Sequence, residues 1–244
     1  MVIPEQQLER VLARADSLSP KEAQALFAAL AEQTLARCAK DGLFWLKFVQ
    51  TRDEADPEHP TKKFPLHESY TEELWNDLVA HPVNIVAKSR QMFVSWEIAC
   101  FCVWRARFNP NQAVYYQCQG WPDAVEKTAM PEGGFEGRMQ FIENHLPEWM
   151  RVKCKFTEGR IQYPNGSIIQ GLAGGANQVR GKTPSLYIGD EFAFMEEQDR
   201  VWTSVAPLIQ KGAKAIIVST PNGTGNMFAT LYHGRPVGEE QVPQ

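Results

Sequence analysis

Three clusters of polar residues each follow a short apolar run, at the place where a buried strand would end. The first cluster comprises Lys88, Ser89, Arg90, Gln91, Met92, Phe93, Val94 and Ser95. A loop that binds phosphate needs backbone N–H groups at a helix N-terminus, a cation and a hydroxyl for Mg²⁺. Lys88 and Arg90 supply positive charge, and Ser95 supplies the hydroxyl. Residues 88–95 are therefore a candidate phosphate loop.

The candidate phosphate loop departs from the usual G-x-x-x-x-G-K-[ST] pattern. Phe93 stands where the second glycine belongs, and Val94 stands where the lysine belongs. A glycine at such a position allows a positive φ or a close approach to the phosphate. The alternative interpretation is an ordinary strand-to-helix turn that carries surface cations.

The second cluster is Asp190-Glu191, at the end of the apolar run SLYIGDE (185–191). In an NTPase, an aspartate at this place holds Mg²⁺, and the adjacent glutamate orients and deprotonates the attacking water. The two carboxylates would otherwise cap the helix that follows. Their position downstream of the candidate phosphate loop, in an alternating pattern of strands and helices, favours the NTPase interpretation.

The third cluster is Ser219-Thr220-Pro221-Asn222-Gly223, after the run AKAIIVST (213–220). The hydroxyl pair of Ser219 and Thr220 at the end of this strand can sense a γ-phosphate and transmit its loss to the rest of the domain. Pro-Asn-Gly alone indicates only a turn. The order and spacing of all three clusters indicate a P-loop NTPase of the additional-strand, catalytic-glutamate class.

The elements that must position these clusters alternate between strand and helix. Strand candidates are 82–88 and 112–119, a helix is predicted from Ser95 to Phe108, and a long amphipathic helix is predicted over 122–146. Asn165–Gly166 indicates a hairpin. Continuous apolar strands separated by helices predict a doubly wound, mainly parallel sheet flanked by helices.

The first part of the chain has a different character. Residues 4–40 are rich in helix formers, and a break at residues 17–20 divides them into two short helices, with Ser19 as the N-cap and Pro20 at the first helical position. The acidic, proline-containing stretch 51–63 is predicted to be a loop. We expect an N-terminal helical appendage with its loop over residues 1–55 and an ATPase core over residues 56–244.

Composition restricts the class of protein. Of the 244 residues, 43% are hydrophobic and 22% charged, so a buried core is expected. No apolar run approaches the length of a membrane span, and the N-terminus lacks a signal-peptide core. The five cysteines form no C-x-x-C pair, which favours reduced thiols in a cytosol.

With a net charge of −4, any DNA contact should come from local basic clusters, unless those clusters are only solvated surface. They are Lys62–Lys63 and the group Arg151, Lys153 and Lys155.

The sequence resembles the large subunit of the terminases of tailed bacteriophages and herpesviruses. The similarity covers roughly residues 40–234 and is carried by specific segments. These are DGLFWLKFVQ, the F-P-L triplet, KSRQMFVSW with its S-R-Q triplet, Arg180–Gly181, LYIGDEFAF and IVSTPNGTGNMF. The resemblance implies ATP hydrolysis with Mg²⁺, powering translocation of double-stranded viral DNA into a procapsid in the host cytoplasm. The implied partners are DNA, the portal protein, the small terminase subunit and identical subunits in a ring.

The resemblance also implies a role for individual residues. It makes Lys88, together with Arg90, the cation that binds phosphate. It makes Ser95 and Asp190 the metal ligands, Glu191 the base and Thr220 the coupling residue. Arg180 becomes an arginine finger that reaches a neighbouring subunit. It lies in a glycine-rich segment, residues 174–181, that we expect to be a mobile loop. Tyr70 stands where the family often has an adenine-reading glutamine, so it either stacks on the base or packs in the core.

Two further expectations concern what the chain omits and what else it resembles. Family members carry a nuclease domain after the ATPase, but only HGRPVGEEQVPQ follows residue 232 here, so we expect no nuclease activity in this chain. One alternative function is a helicase-like or remodelling ATPase, which would need a second motor domain. Another is a nucleotide-binding scaffold with little turnover because of Phe93 and Val94.

Overall fold

Capping side chains set the start of the first two described helices. The computed structural model describes residues 19–53, 56, 58–90, 92–129 and 136–234. Helix α1 (Pro20–Lys40) begins at Ser19, whose side chain forms a capping box with Glu22. Helix α2 (Gly42–Leu46) follows directly, and the Asp41 carboxylate accepts a hydrogen bond from the Phe44 N–H at 2.8 Å. The predicted N-cap at Ser19 is confirmed, α1 is longer than predicted, and the helix predicted before it lies outside the described residues.

The ends of the predicted loop at 51–63 pair with each other, which the sequence interpretation missed. Strand β1 (Gln50–Arg52) runs antiparallel to β2 (Thr61–Lys63), with Thr51 opposite Lys62. The prediction of an unstructured loop over this stretch is therefore wrong at its two ends. Three-residue strands carry too little periodicity to be recognised in a sequence.

A seven-stranded sheet forms the centre of the molecule. Its strands are β3 (Val83–Ala87), β4 (Ala113–Gln117), β5 (Lys155–Thr157), β6 (Arg160–Gln162), β7 (Ile168–Leu172), β8 (Leu186–Asp190) and β9 (Lys214–Ser219). The spatial order is β3-β9-β8-β4-β7-β6-β5. The first five strands in that order are parallel, and β6 and β5 are antiparallel. The predicted mainly parallel sheet and the hairpin at Asn165–Gly166 are both confirmed.

The remaining helices are α3 (Thr71–Ala80), α4 (Val94–Phe108), α5 (Trp121–Lys127), α6 (Arg138–Asn144), α7 (Gln198–Gln210) and α8 (Met227–Tyr232). The single helix predicted over 122–146 is wrong, because α5 ends at Lys127 and α6 begins only at Arg138. The intervening sequence contains one proline and three glycines, which are the residues least favourable in a helix. Among the described residues, none of the helices is both long and apolar enough to cross a membrane.

Helices cover both faces of the sheet. Alternate strand residues such as Tyr116, Ile188 and Ile216 face a cluster that includes residues of α1 to α6. The residues between them, such as Tyr187 and Ile217, face a second cluster with α7 and α8. This alternation is the two-residue period of a strand buried on both sides. Helix α4 is held on the first face, where Arg107 pairs with Glu143 of α6 at 2.5 Å.

Candidate nucleotide site

The three polar clusters come together because their strands are neighbours in the sheet. Strand β9 lies between β3 and β8, and all three are parallel, with Ala87 opposite Ser219 and Val218 opposite Asp190. Parallel strands that lie side by side present their carboxyl ends at one edge of the sheet, which is where ligands bind in open α/β folds. The strand between β3 and β8 is the additional strand that the sequence predicted.

A contact network joins the three strand ends. Lys88 Nζ donates to Glu191 Oε1 at 2.7 Å, and Thr220 Oγ1 donates to Glu191 Oε2 at 3.2 Å. The Lys88 side chain is only 9% exposed, whereas the Glu191 side chain is 41% exposed. Because Glu191 is exposed to this extent, the pair contributes only about 0–1 kcal/mol to stability. The network fixes the direction of the Glu191 carboxylate.

The ionisation of Glu191 is set by opposing effects. Partial burial raises the pKa of the carboxyl, but hydrogen bonding and charge from Lys88, together with Thr220, outweigh it, and the pKa lies below its ordinary value. Glu191 is therefore an anion at neutral pH, as a general base must be. Its backbone has φ of +50°, in the left-handed region, which a non-glycine residue rarely adopts and which is enriched at functional sites.

Asp190 is buried and held by two donors. Its Oδ2 accepts from the hydroxyl of Tyr116 on β4 at 2.8 Å, and its Oδ1 accepts from the Glu191 N–H at 3.0 Å. Burial, together with the charge of Asp190, keeps the pKa of Tyr116 well above its ordinary value, so the hydroxyl remains a donor. Each carboxylate oxygen has a second lone pair, so the side chain can still accept further hydrogen bonds.

The third cluster supports the turn that follows Glu191. The Ser219 hydroxyl accepts from the Ala193 N–H at 3.1 Å, and Asn222 Nδ2 donates to the Ala193 carbonyl at 3.1 Å. Ser219 also uses its carbonyl to accept from the Lys88 N–H at 3.0 Å. The two hydroxyls that the sequence grouped as a pair therefore have separate partners, since Thr220 contacts Glu191.

The candidate phosphate loop is exposed at its start and packed at its end. Ser89 and Arg90 are exposed, Met92, Phe93 and Ser95 are half-buried, and Val94 is 3% exposed and belongs to the core. Gln91 lies outside the described residues. Phe93 has φ of −27°, so the position does not use the positive φ for which a glycine would be needed. Val94, which stands at the position of the usual lysine, is therefore a core residue and not a phosphate ligand.

The N-terminus of α4 suits an anion. Its N-cap residue, Phe93, provides no side-chain hydrogen bond to the first N–H groups of the helix. The first turn contains Glu97, whose two carboxyl oxygens are buried and have no hydrogen-bond partner among the residues that the structure describes. Burial raises the pKa of Glu97 to about 8, so this carboxyl is mostly neutral at pH 7 and does not repel phosphate. Tyr70, the residue before α3, packs against the main core cluster, and burial, followed by the charge of Glu68, raises the pKa of its hydroxyl.

Arg180 is presented from a segment that is packed through two of its side chains, although we expected a mobile loop. Residues 174–181 contain a 3₁₀ turn, Ala176–Gln178, and the side chains of Ala176 and Val179 are each 2% exposed. Arg180 itself is exposed, and its Nη1 donates to Asn177 Oδ1 at 3.2 Å. Of its glycines, Gly174 closely approaches the carbonyl oxygen of Gln119, whereas Gly175 and Gly181 have positive φ. Arg180 makes its hydrogen bond within its own segment, whereas Glu191 is bonded to Lys88 and Thr220.

The sequence interpretation missed the contribution of β4. Tyr116 and Gln117 were treated only as part of a strand candidate, yet Tyr116 binds Asp190 and Gln117 binds Tyr187 and two backbone carbonyls. The signal that was available is the glutamine itself, because a buried strand rarely contains an amide unless its polar atoms have partners. The identity of those partners required the sheet order.

The donor groups fit a bound Mg²⁺ held mainly by substrate. Mg²⁺ is usually bound by one or two carboxylates, water and phosphate oxygens, and not by an all-protein cage. The Asp190 carboxylate and the Ser95 hydroxyl are the candidate ligands on this chain. Among the residues that the structure describes, no group of three or more His, Cys, Asp or Glu side chains lies close enough to hold a metal ion.

Comparisons with known proteins give the fold a family context. No protein-family model matches the sequence. The large terminase of bacteriophage HK97 is similar over 72% of this chain and 37% of its own length, with a TM-score of 0.51 and 12% sequence identity. The N-terminal domain of the DNA packaging ATPase from bacteriophage phi29 is similar over 70% and 88% of the two chains, with a TM-score of 0.49 and 12% identity. The large terminase ATPase domain of Thermus phage P74-26 is similar over 66% and 68%, with a TM-score of 0.48 and 16% identity.

The similarity to the HK97 protein, at 12% identity, concerns the fold alone. The mostly parallel, seven-stranded sheet flanked by helices is the architecture that the terminase resemblance implied. Over the matched residues, the chain therefore has the fold of the large terminase of bacteriophage HK97.

Proposed function

We propose that this chain is an ATPase domain that hydrolyses ATP to drive double-stranded viral DNA into a procapsid. The observation that carries the proposal is the contact of Lys88, Glu191 and Thr220 at the carboxyl ends of three adjacent parallel strands. A cation, a base and a hydroxyl are the groups that phosphoryl transfer to water requires, apart from the metal. The fold and the sequence resemblance supply the packaging context.

In this proposal the substrate phosphates bind at the start of α4. Lys88 and Arg90 supply positive charge, and the uncapped N–H groups of α4 supply hydrogen bonds. Lys88 is paired with Glu191 in this structure, so phosphate binding exchanges one anionic partner of Lys88 for another. That exchange releases one oxygen of Glu191 for the attacking water, so the base becomes available only when substrate is present.

Glu191 then orients the attacking water and accepts its proton. Asp190 and Ser95 would hold Mg²⁺, which supplies charge neutralisation at the β- and γ-phosphates when it is bound. The Tyr116 hydroxyl holds Asp190 in place from the neighbouring strand. Thr220 keeps a hydrogen bond to Glu191, so a change at the base reaches β9 and the turn after it.

The wider assembly is part of the same proposal. A homo-oligomeric ring allows the exposed Arg180 of one subunit to reach a phosphate bound by its neighbour. The portal protein and the small terminase subunit are the proposed partners, the host cytoplasm is the proposed location, and DNA binds exposed basic groups such as Arg151, Lys153 and Lys155. The division at residue 55 into an appendage and an ATPase core, and the lack of nuclease activity, also remain predictions.

A steady-state phosphate-release assay, with and without double-stranded DNA and a portal partner, tests the proposal. We expect slow ATP turnover by the isolated protein and faster turnover with DNA and portal. ATP binding without turnover under any of these conditions would favour the scaffold alternative, for which the mutual pairing of Lys88 and Glu191 is the supporting observation. Strand separation without portal would favour the helicase-like alternative.

Replacing Lys88 by alanine is expected to reduce ATP affinity and turnover together, each by roughly 10–100-fold, because a charged hydrogen-bond donor to phosphate is lost. Binding of a fluorescent ATP analogue and phosphate release measure the two effects. Arg90→Ala is the matched control, since Arg90 is exposed and Lys88 is not. If Lys88→Ala behaves as wild type while Arg90→Ala loses affinity, Arg90 is the phosphate cation.

Replacing Tyr116 by phenylalanine is expected to weaken the apparent Mg²⁺ affinity by about 10-fold, because groups that orient a metal ligand typically contribute that much or more. The change removes one donor to the buried Asp190. A Mg²⁺ titration of analogue binding measures it. Tyr115→Phe is the control, since the preceding tyrosine faces the other side of β4. The same Mg²⁺ midpoint in both variants would show that the hydroxyl of Tyr116 does not position Asp190.

A further inference from the structure

Gln117 is buried, and both polar atoms of its side-chain amide form hydrogen bonds. Its Nε2 donates to the carbonyls of Ala173 and Gly175, at 2.7 and 2.9 Å, and its Oε1 accepts from the hydroxyl of Tyr187 at 2.5 Å. Gln117 lies on β4 and Tyr187 on β8, next to each other in the sheet. The amide therefore connects two central strands to the backbone at the start of the glycine-rich segment, residues 174–181.

The backbone of the segment is packed as tightly as these bonds suggest. A Cβ atom at Gly174 would lie 2.5 Å from the carbonyl oxygen of Gln119, and the Gly174 N–H donates to that oxygen at 3.1 Å. Gly175 has φ of +98°, which a residue with a side chain rarely adopts. Both glycines are thus required by a close approach and by a turn. These two constraints define the path of the backbone where the segment leaves the sheet.

The rest of the segment continues this order up to Arg180. Ala176 and Val179 insert into the core cluster that also contains Tyr187. The Lys182 N–H donates to the Val179 carbonyl at 3.1 Å, and the Arg180 guanidinium is held by Asn177. The exposed guanidinium of Arg180 therefore extends from a turn. The buried side chains of Ala176 and Val179 and the backbone hydrogen bonds attach this turn to the sheet.

We infer that Gln117 and Tyr187 are positioning residues that hold residues 174–181 in one arrangement, so that Arg180 is offered from a preformed turn and not from a mobile loop. A preformed guanidinium loses little conformational entropy when it meets phosphate. That phosphate is the one bound by a neighbouring subunit, a step that rests on the proposed function. Because β8 also ends at Asp190, the turn and the metal-binding carboxylate share one support.

Trypsin tests this inference without any nucleotide, because it cleaves after Arg180 and Lys182, inside the region in question. We expect the native protein to be cut slowly at both positions, and hydrogen exchange at the Gly174 and Lys182 amides to be slow. Tyr187→Phe removes only the hydroxyl bonded to Gln117 and should raise cleavage there about tenfold, as loss of one buried hydrogen bond does. Gln117→Leu, which loses all three bonds, should raise it further.

Tyr116→Phe is the matched control, since it also removes a buried tyrosine hydroxyl next to Gln117 but one that is bonded to Asp190. Cleavage after Arg180 should stay at the wild-type rate in this variant, and thermal unfolding of each variant separates local from global loosening. Wild-type cleavage in both Tyr187→Phe and Gln117→Leu, or rapid exchange across the segment in the native protein, would overturn the inference.

The kinetic consequence is tested separately in the assembled, DNA-stimulated enzyme. Tyr187→Phe should lower kcat several-fold and leave the KM for ATP unchanged, because the hydroxyl is bonded to Gln117 and not to a described residue of the candidate phosphate loop. If the protein proves to have no ATPase activity, the proposed function fails while the proteolysis result stands. If the protein is active and the segment exchanges rapidly, only the positioning role fails.

Discussion

Glu191→Gln is expected to bind ATP·Mg²⁺ but to hydrolyse it about 10²–10⁴ times more slowly than the wild type, the range that loss of a general base produces. The amide keeps the shape of the side chain and can still accept from Thr220, but it cannot take a proton from water. The substitution also breaks the ion pair with Lys88 at 2.7 Å. Since Lys88 is then free for phosphate, ATP affinity should stay level or increase.

Single-turnover phosphate release and analogue binding measure these two quantities independently. Glu197→Gln is the matched control, because Glu197 also has a positive φ and also forms an ion pair, with Arg200 at 2.5 Å, but it lies at the start of α7 and not at the end of a strand. Asp190→Asn should differ from both by weakening Mg²⁺-dependent binding. Wild-type turnover in Glu191→Gln would show that another group is the base.

Arg180→Ala is expected to lower the ATPase rate of the assembled ring by roughly 10³–10⁵, the range that arginine fingers contribute. The guanidinium is suited to this role because it is always charged and can bind two phosphate oxygens. Isolated subunits should be slow whether or not Arg180 is present, because no neighbouring site receives the finger. The difference between ring and monomer is therefore part of the expected result.

Mixing Arg180→Ala with Glu191→Ala distinguishes a trans role from a role within one subunit. Each protein should be inactive alone and regain part of its activity in mixed rings, where some interfaces pair an intact base with an intact Arg180. Lys182→Ala is the control for a general loss of positive charge, and DNA affinity measured on all variants identifies a DNA-binding role for Arg180. Absence of recovery in rings shown by light scattering to be mixed would reject the trans role.

The sequence by itself determined the strand-and-helix alternation and the local chemistry of the three clusters. Apolar runs such as 185–191 and 213–220 are buried on both sides in the sheet, so their hydrophobicity was a direct signal of their position. The Ser19 cap, the additional strand and the fold class followed from similarly local or ordered patterns. These features could be predicted because each depends on residues that are close to one another in the sequence or on the order of segments along it.

Only the tertiary structure decided which polar groups contact each other. Tyr116 and Asp190 are separated by 74 positions, and Lys88 and Glu191 by 103, so no local pattern relates them. The structural role of the glycines in residues 174–181 could not be predicted from the sequence either. A glycine permits a mobile loop, a positive φ or a close backbone contact equally well. At Gly174 the carbonyl of Gln119, which comes from another part of the chain, selects the last of these.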